Sequence, residues 1–213
     1  KVDGVIITDA IPTSEAIQPF IHSDVPVVLF NRYIDTLACS SVCCNNYQAG
    51  FDIARYLSSK GFKNLAIISG PMETSTANDR QRGLKDCIQK LDVTITCEMQ
   101  GNYTYEGGYQ STTELLKQNK PEVIICGNDI MAFGALDALR HKGYRIPEDV
   151  SVIGFDNVSM ANWPAYELTT WAQPMDEMVQ ASVELLCNEI VGIQTDPVRL
   201  SLDGHLIERK TVG

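Results

Sequence analysis

Polar residues cluster at five places in this chain, each following a stretch that reads as a strand. They are Asn31-Arg32, then Gly70-Pro71 leading on to Thr74, Thr76 and Arg80, then Asn102-Tyr103, Asn128-Asp129 and Asp156-Asn157. Guanidinium forks, amides, a carboxylate and an aromatic plate suit the binding of a small polyhydroxylated molecule. An Arg presents several donors in a fixed plane. An ionised Asp only accepts, so Asp156 can take protons from adjacent hydroxyls, while Asn128 donates and accepts at once. A ring such as Tyr103 covers an apolar sugar face with its hydroxyl left polar. Taken singly, each has a plainer use. Arg80 suits a solvated helix surface, Asp129 an N-cap, Asp156-Asn157 a turn and Tyr103 a core. Convergence on one sheet edge is what favours binding.

Catalytic patterns are thin. His22, His141 and His205 are well separated, His141 beside Arg140 and Lys142 reading as a last-turn cation. There is no Gly-x-Ser-x-Gly elbow, Walker loop, His-Glu-x-x-His or Gly-x-Gly-x-x-Gly. No enzyme activity and no cofactor are expected. The seven Cys, at 39, 43, 44, 87, 97, 126 and 187, form no Cys-x-x-Cys pair. No metal site is expected, and the thiols read as small core hydrophobes of a reducing, cytoplasmic compartment. The net charge of -10 over 213 residues offers no basic patch for nucleic acid. The longest apolar runs are too short to span a bilayer, and no secretory segment opens the chain.

The elements that position these groups alternate. Strands are expected at residues 5–8, 25–30, 42–45, 65–69, 98–100, 123–126 and 150–155. Helices are expected from Pro12-Thr-Ser14 to His22, over 49–60 with Gly61 as stop, over 77–91 capped by Ser75 or Thr76, over 105–118, and over 130–142 closed by Gly143. Such alternation implies doubly wound parallel sheets. Past Asn157 come a loop at 160–166, a strand at 168–171, a helix at 175–191 and strands at 198–202 and 205–208. The helix at 130–142 is apolar all round, so a second buried face is expected, against a partner subunit at Phe133 and Trp163 or beneath a neighbouring helix or loop.

Arg145-Ile-Pro-Glu-Asp-Val-Ser-Val-Ile-Gly-Phe-Asp-Asn157 closely resembles the signature of the lactose-repressor family of bacterial regulators. The resemblance extends through Val2-Asp-Gly-Val-Ile-Ile, Val25-Pro-Val-Val-Leu-Phe-Asn-Arg32, Ile67-Ile-Ser-Gly-Pro71, Arg80-x-x-Gly83, Gly127-Asn-Asp-Ile-Met-Ala-Phe-Gly-Ala135 and Leu168-Thr-Thr-x-x-Gln-Pro174, in the family's order. It implies a two-lobe, periplasmic-binding-protein-like α/β fold with a small molecule between the lobes. Residues 1–43 and 174–203 are expected in the N-terminal lobe, incomplete at its start. Residues 44–173 and 204–213 are expected in the C-terminal lobe, with crossovers near 43–45, 172–174 and 203–206. The implied ligand residues are Asn31, Thr76, Arg80, Tyr103, Asn128, Asp156 and Gln173. Asn31 and Asn45 stand where the family usually has Asp. The implied function is effector binding and dimerisation in a transcriptional regulator. Its partners are a sugar or sugar derivative, a second copy and, through a helix-turn-helix outside this chain, operator DNA. The alternative is a periplasmic sugar-binding protein of the same fold.

Overall fold

The computed structural model describes residues 2–8, 10–11, 17–21, 23, 25–118 and 120–213. The helix entry expected at Pro12–Ser14 and the helix end at His22 lie outside the described residues. Strands β1 (Val5–Ile7), β2 (Val27–Phe30), β3 (Ser40–Cys44) and β9 (Arg199–Leu202) form a four-stranded sheet in the order β1-β2-β3-β9, parallel throughout. The second sheet takes β4 (Asn64–Ser69), β5 (Thr94–Gln100), β6 (Val123–Cys126), β7 (Ser151–Asp156), β8 (Thr169–Ala172) and β10 (His205–Ile207), ordered β10-β8-β7-β6-β4-β5. Only its β10–β8 pair is antiparallel.

Side-chain alternation explains why the central strands read as unbroken apolar runs. Leu65, Ile67, Val123, Ile125, Ile153 and Phe155 pack on one face, beneath α2 (Asn46–Ser59) and α3 (Ser75–Ile88). Ala66, Ile68, Ile124, Cys126 and Val152 pack on the other, with α4 (Tyr105–Gln118) and α5 (Asp129–His141) over them. Both faces are covered, so neither needs polar residues. The first core continues through Trp171 to Val28, Val42 and Met178, where α6 (Met175–Ile190) lies on the four-stranded sheet. A short helix, α1 (Gln18–Ile21), follows β1. The chain passes between sheets three times: after Cys44, after Ala172 and after Leu202. Asn45 Nδ2 donates to Asp203 Oδ1 across two of these passages, at 2.8 Å.

Gly61 (φ 90°) and Gly143 (φ 80°) end helices in left-handed conformations, as expected. Other boundaries differ. β5 begins at Thr94 because Thr94-Ile-Thr-Cys alternates exposed and half-buried on an edge strand. β3 begins at Ser40, whose hydroxyl is buried and bonded to Glu189 and the Val198 N–H. The α3 cap is Thr74, which accepts from the Ala77 N–H, rather than Ser75 or Thr76. The α5 cap is Asn128, accepting from the Met131 N–H at 2.9 Å, rather than Asp129.

The placement of Phe133 at a subunit interface is corrected. Phe133 is 1% exposed in the single chain and lies against Tyr166, ring centroids 4.3 Å apart. The second apolar face of α5 is covered from within, by the segment after the 3₁₀ turn Ser159–Asn162 and by α4. Trp163, on that same segment, is half exposed.

Candidate ligand cleft between two sheets

Parallel strands end in loops that carry their polar residues to one edge. Here the carboxyl ends of β2 and of the six-stranded sheet face a common cleft of about 190 Å³. Asn31, Thr76, Arg80, Tyr103, Asn128, Asp156 and Gln173 all line it, together with Arg32 and Gly127. The positions are unusual in backbone as well as chemistry. Asn31 (φ 65°), Tyr103 (φ 59°) and Asp156 (φ 119°) all adopt positive φ. Such backbone is costly for a residue with a Cβ and persists where surrounding contacts over-determine it.

Arg80 is the centre of the site. Its position in the second turn of α3 brings the guanidinium 3.2 Å from the centroid of the Phe155 ring. One terminal nitrogen donates to Asn46 Oδ1 at 2.7 Å and the other to the Gly127 carbonyl. Burial pushes its pKa down, and Tyr103 and Asp156 oppose that shift. Arginine still keeps its proton under such conditions. Burial likewise pushes the Asp156 carboxyl up, and the charge of Arg80 and a bond from Gln173 Nε2 (2.7 Å) pull it back.

The turn carrying Asp156 is held from behind. Arg209 donates to Asn157 Oδ1 at 2.8 Å and to the Leu168 carbonyl at 2.7 Å. Asp129, fully buried, accepts from the Val158 N–H at 2.9 Å and from the Thr170 hydroxyl at 2.6 Å. Asp129 is therefore an anchor outside the cleft lining. Tyr103 lies over Gly70, where an added Cβ would fall 1.9 Å from the ring. Its hydroxyl is 3.5 Å from Thr76 Oγ1. Asn128 spends its carbonyl on the helix cap, which leaves its amide nitrogen beside the Tyr103 carbonyl at 3.5 Å.

Asn31 Oδ1, Arg80 Nε and Gln173 Oε1 of this lining are buried and have no hydrogen-bond partner among the described residues. Buried polar atoms are rarely left so, because each forfeits solvation without compensation. Two acceptors and a donor are thus available to a polar molecule. A larger cavity, about 390 Å³, lies at the amino ends of β2 and β3. Its Ser40 and Glu189 are already bonded to each other, and it has no comparable set of unpartnered groups among the described residues.

Asn46 escaped the sequence reading. It directly follows the β3 crossover, so the rule that marked the other strand ends was sufficient to find it. Its role as the acceptor that orients Arg80 depends on α2 lying against α3, which local sequence does not state.

The profile of the family described as periplasmic binding protein-like domain matches residues 54–212. The HTH-type transcriptional repressor PurR of Proteus mirabilis is 33% identical over 171 residues, covering 79% of this chain and 50% of that protein. Its counterpart in Escherichia fergusonii is 34% identical over 175 residues, covering 81% and 51%. The chain thus spans about half the length of the curated relatives it matches. Among solved structures, a transcriptional regulator CelR–cellobiose complex aligns with TM-score 0.93 and 29% identity, over 99% of this chain and 66% of that one. A lactose-repressor-family regulator from Enterococcus faecalis with bound ribose aligns with TM-score 0.88 and 26% identity, over 100% and 78%.

Proposed function

Because the chain belongs to the periplasmic-binding-protein-like domain family, in the form found in lactose-repressor-type regulators, we propose that it is the effector-binding and dimerisation part of a bacterial transcription regulator. The effector is a sugar or sugar derivative held between two lobes. One lobe comprises residues 1–43 and 174–203, the other 44–173 and 204–213. The observation that carries this reading is the cleft itself: a buried, oriented guanidinium facing a carboxylate, with Asn31 Oδ1, Arg80 Nε and Gln173 Oε1 left unpartnered. That array matches vicinal hydroxyls, which donate to Asp156 and Asn31 and accept from Arg80 and Asn128. The sugars named with two structural neighbours support the same class.

Effector binding acts on operator affinity only through unequal affinity for two lobe arrangements, with a typical coupling of ~1–3 kcal/mol. The hinge is the set of three crossovers, near 43–45, 172–174 and 203–206. Operator contact comes from a helix-turn-helix module of the kind that the PurR relatives' names state. The acidic segment described here is a poor surface for phosphate. The working unit is a homodimer in the cytoplasm, with Trp163 at its interface.

Calorimetric titration of the intact gene product with a panel of mono- and disaccharides tests the reading. One sugar is expected to bind at a single site. Arg80→Ala is expected to weaken it about 100-fold or more, since charged hydrogen bonds contribute ~1.5–3 kcal/mol each. Equal affinity in the variant, or no sugar bound by the wild type, overturns the assignment.

A further inference from the structure

A second set of contacts joins the two sheets beside the cleft. Tyr33 lies on the segment leaving β2, just past Asn31 and Arg32. Its hydroxyl donates to Asp79 Oδ2 at 2.7 Å, and its backbone N–H donates to Ser75 Oγ at 3.1 Å. Ser75 and Asp79 belong to α3, which packs on the other sheet. The ring of Tyr33 is braced by its own sheet. The Arg199 guanidinium, at the start of β9, stands 3.7 Å from the ring centroid and is paired with Asp35 at 2.9 Å.

The placement on α3 couples this contact to the site. Ser75 and Asp79 are four residues apart and share a helix face. Each directly precedes a cleft residue, Thr76 and Arg80, which share the adjacent face about 100° round the helix. One helix thus meets the ligand cleft with one stripe and Tyr33 with the next. Burial and then the bond to Asp79 push the Tyr33 hydroxyl up to about 12, so it remains a donor throughout the physiological range.

We propose that Tyr33 is a positioning residue, whose clasp on Asp79 and Ser75 holds the two lobes closed around the cleft and so sets effector affinity without touching effector. The proposal rests on the ligand-cleft reading for its consequence. Its structural part, the clasp, is testable with no ligand added. Asp79 accepts Tyr33 on one oxygen and Arg82 on the other (2.8 Å), so its carboxylate is held ready. A hydrogen bond to a charged group shifts an equilibrium by about tenfold or more.

The experiment is small-angle scattering of the intact gene product without ligand, for wild type, Tyr33→Phe, Asp79→Ala and the double variant, with circular dichroism to report folding. Both single variants are expected to give a larger radius of gyration at unchanged helicity, and the double no further increase. That non-additivity separates a clasp from two independent losses of packing. Should Tyr33→Phe fail to fold, Asp79→Ala gives the same readout. A wild-type radius equal to that of the variants, or additive increases, overturns the clasp. Parallel titration with D-ribose and cellobiose separates the two readings. Opening of the variants with no binding of either sugar leaves the clasp standing and counts against the sugar. Sugar affinity and scattering that are both unchanged in Tyr33→Phe leave the cleft standing and remove the clasp.

Discussion

Asp129 shows how one residue's environment outweighs its type. As a carboxylate at a helix start it is expected to cap, yet Asn128 takes that role and Asp129 turns into the core to hold Val158 and Thr170. Burial pushes its carboxyl up to about 7, against the pull of the bonds from Thr170 and Val158. The sign of the pH effect follows. An unfolded Asp loses its proton near pH ~4, whereas the folded protein keeps it to about pH 7. Between these values the native state binds more protons, so stability falls as pH rises. Asp129→Asn carries no titrating group. Thermal melts from pH 4.5 to 8 are expected to decline less steeply for the variant than for wild type. Parallel profiles would mean that Asp129 is ionised throughout.

At the scale of elements, the two helix pairs are set by reciprocal glycines. A Cβ on Gly50 of α2 would fall 2.0 Å from the Arg80 carbonyl, and one on Gly83 of α3 would fall 1.9 Å from the Tyr47 carbonyl. Gly108 and Gly134 relate α4 and α5 in the same way. The obstructing atoms are backbone, so no rotamer change relieves the contact. This gives the Arg80-x-x-Gly83 spacing a physical meaning. The glycine brings α3 against α2, and that approach puts Asn46 within reach of Arg80. Gly83→Ala gains about 1 kcal/mol of helix propensity but forces the helices apart. A net loss of about 2 kcal/mol in urea unfolding is expected, with weakened effector binding as well. A variant as stable as wild type, with unaltered binding, would show that the helices tolerate separation. The elements themselves were legible where the apolar period was strong. The start of β3 was not, because Ser40 and Ser41 look like loop residues until Glu189 and the sheet satisfy them.

The whole molecule decides which apolar surface remains for a partner. Phe133 and Trp163 looked equivalent in sequence, but Tyr166 closes over Phe133 and leaves Trp163 half exposed on a tight turn. The two substitutions are therefore expected to part company. Phe133→Asp buries an unpaired charge and is expected to unfold the domain, a loss above about 4 kcal/mol. Trp163→Asp is expected to keep a native melting profile while light scattering of the intact protein shows half the mass. An unchanged mass for Trp163→Asp removes Trp163 from the interface.

What the sequence alone determined was whatever rests on local pattern. Apolar runs of strand length bounded by polar residues specify parallel strands covered on both faces, and the polar residues after them name the edge where the cleft lies. The seven residues named that way or through the family resemblance all line the cleft. Tertiary structure alone decided which functional groups are spent and which are left available. Asn128 gives its side-chain carbonyl to a cap, Asp129 gives its carboxyl oxygens to the core, and Asn46 gives its amide oxygen as acceptor to Arg80. Tyr33 reaches Asp79 across 46 residues of chain. Hydrogen-bond partnership and burial are properties of elements brought together from distant segments. They are set by packing between helices and between sheets, which no window of local sequence contains.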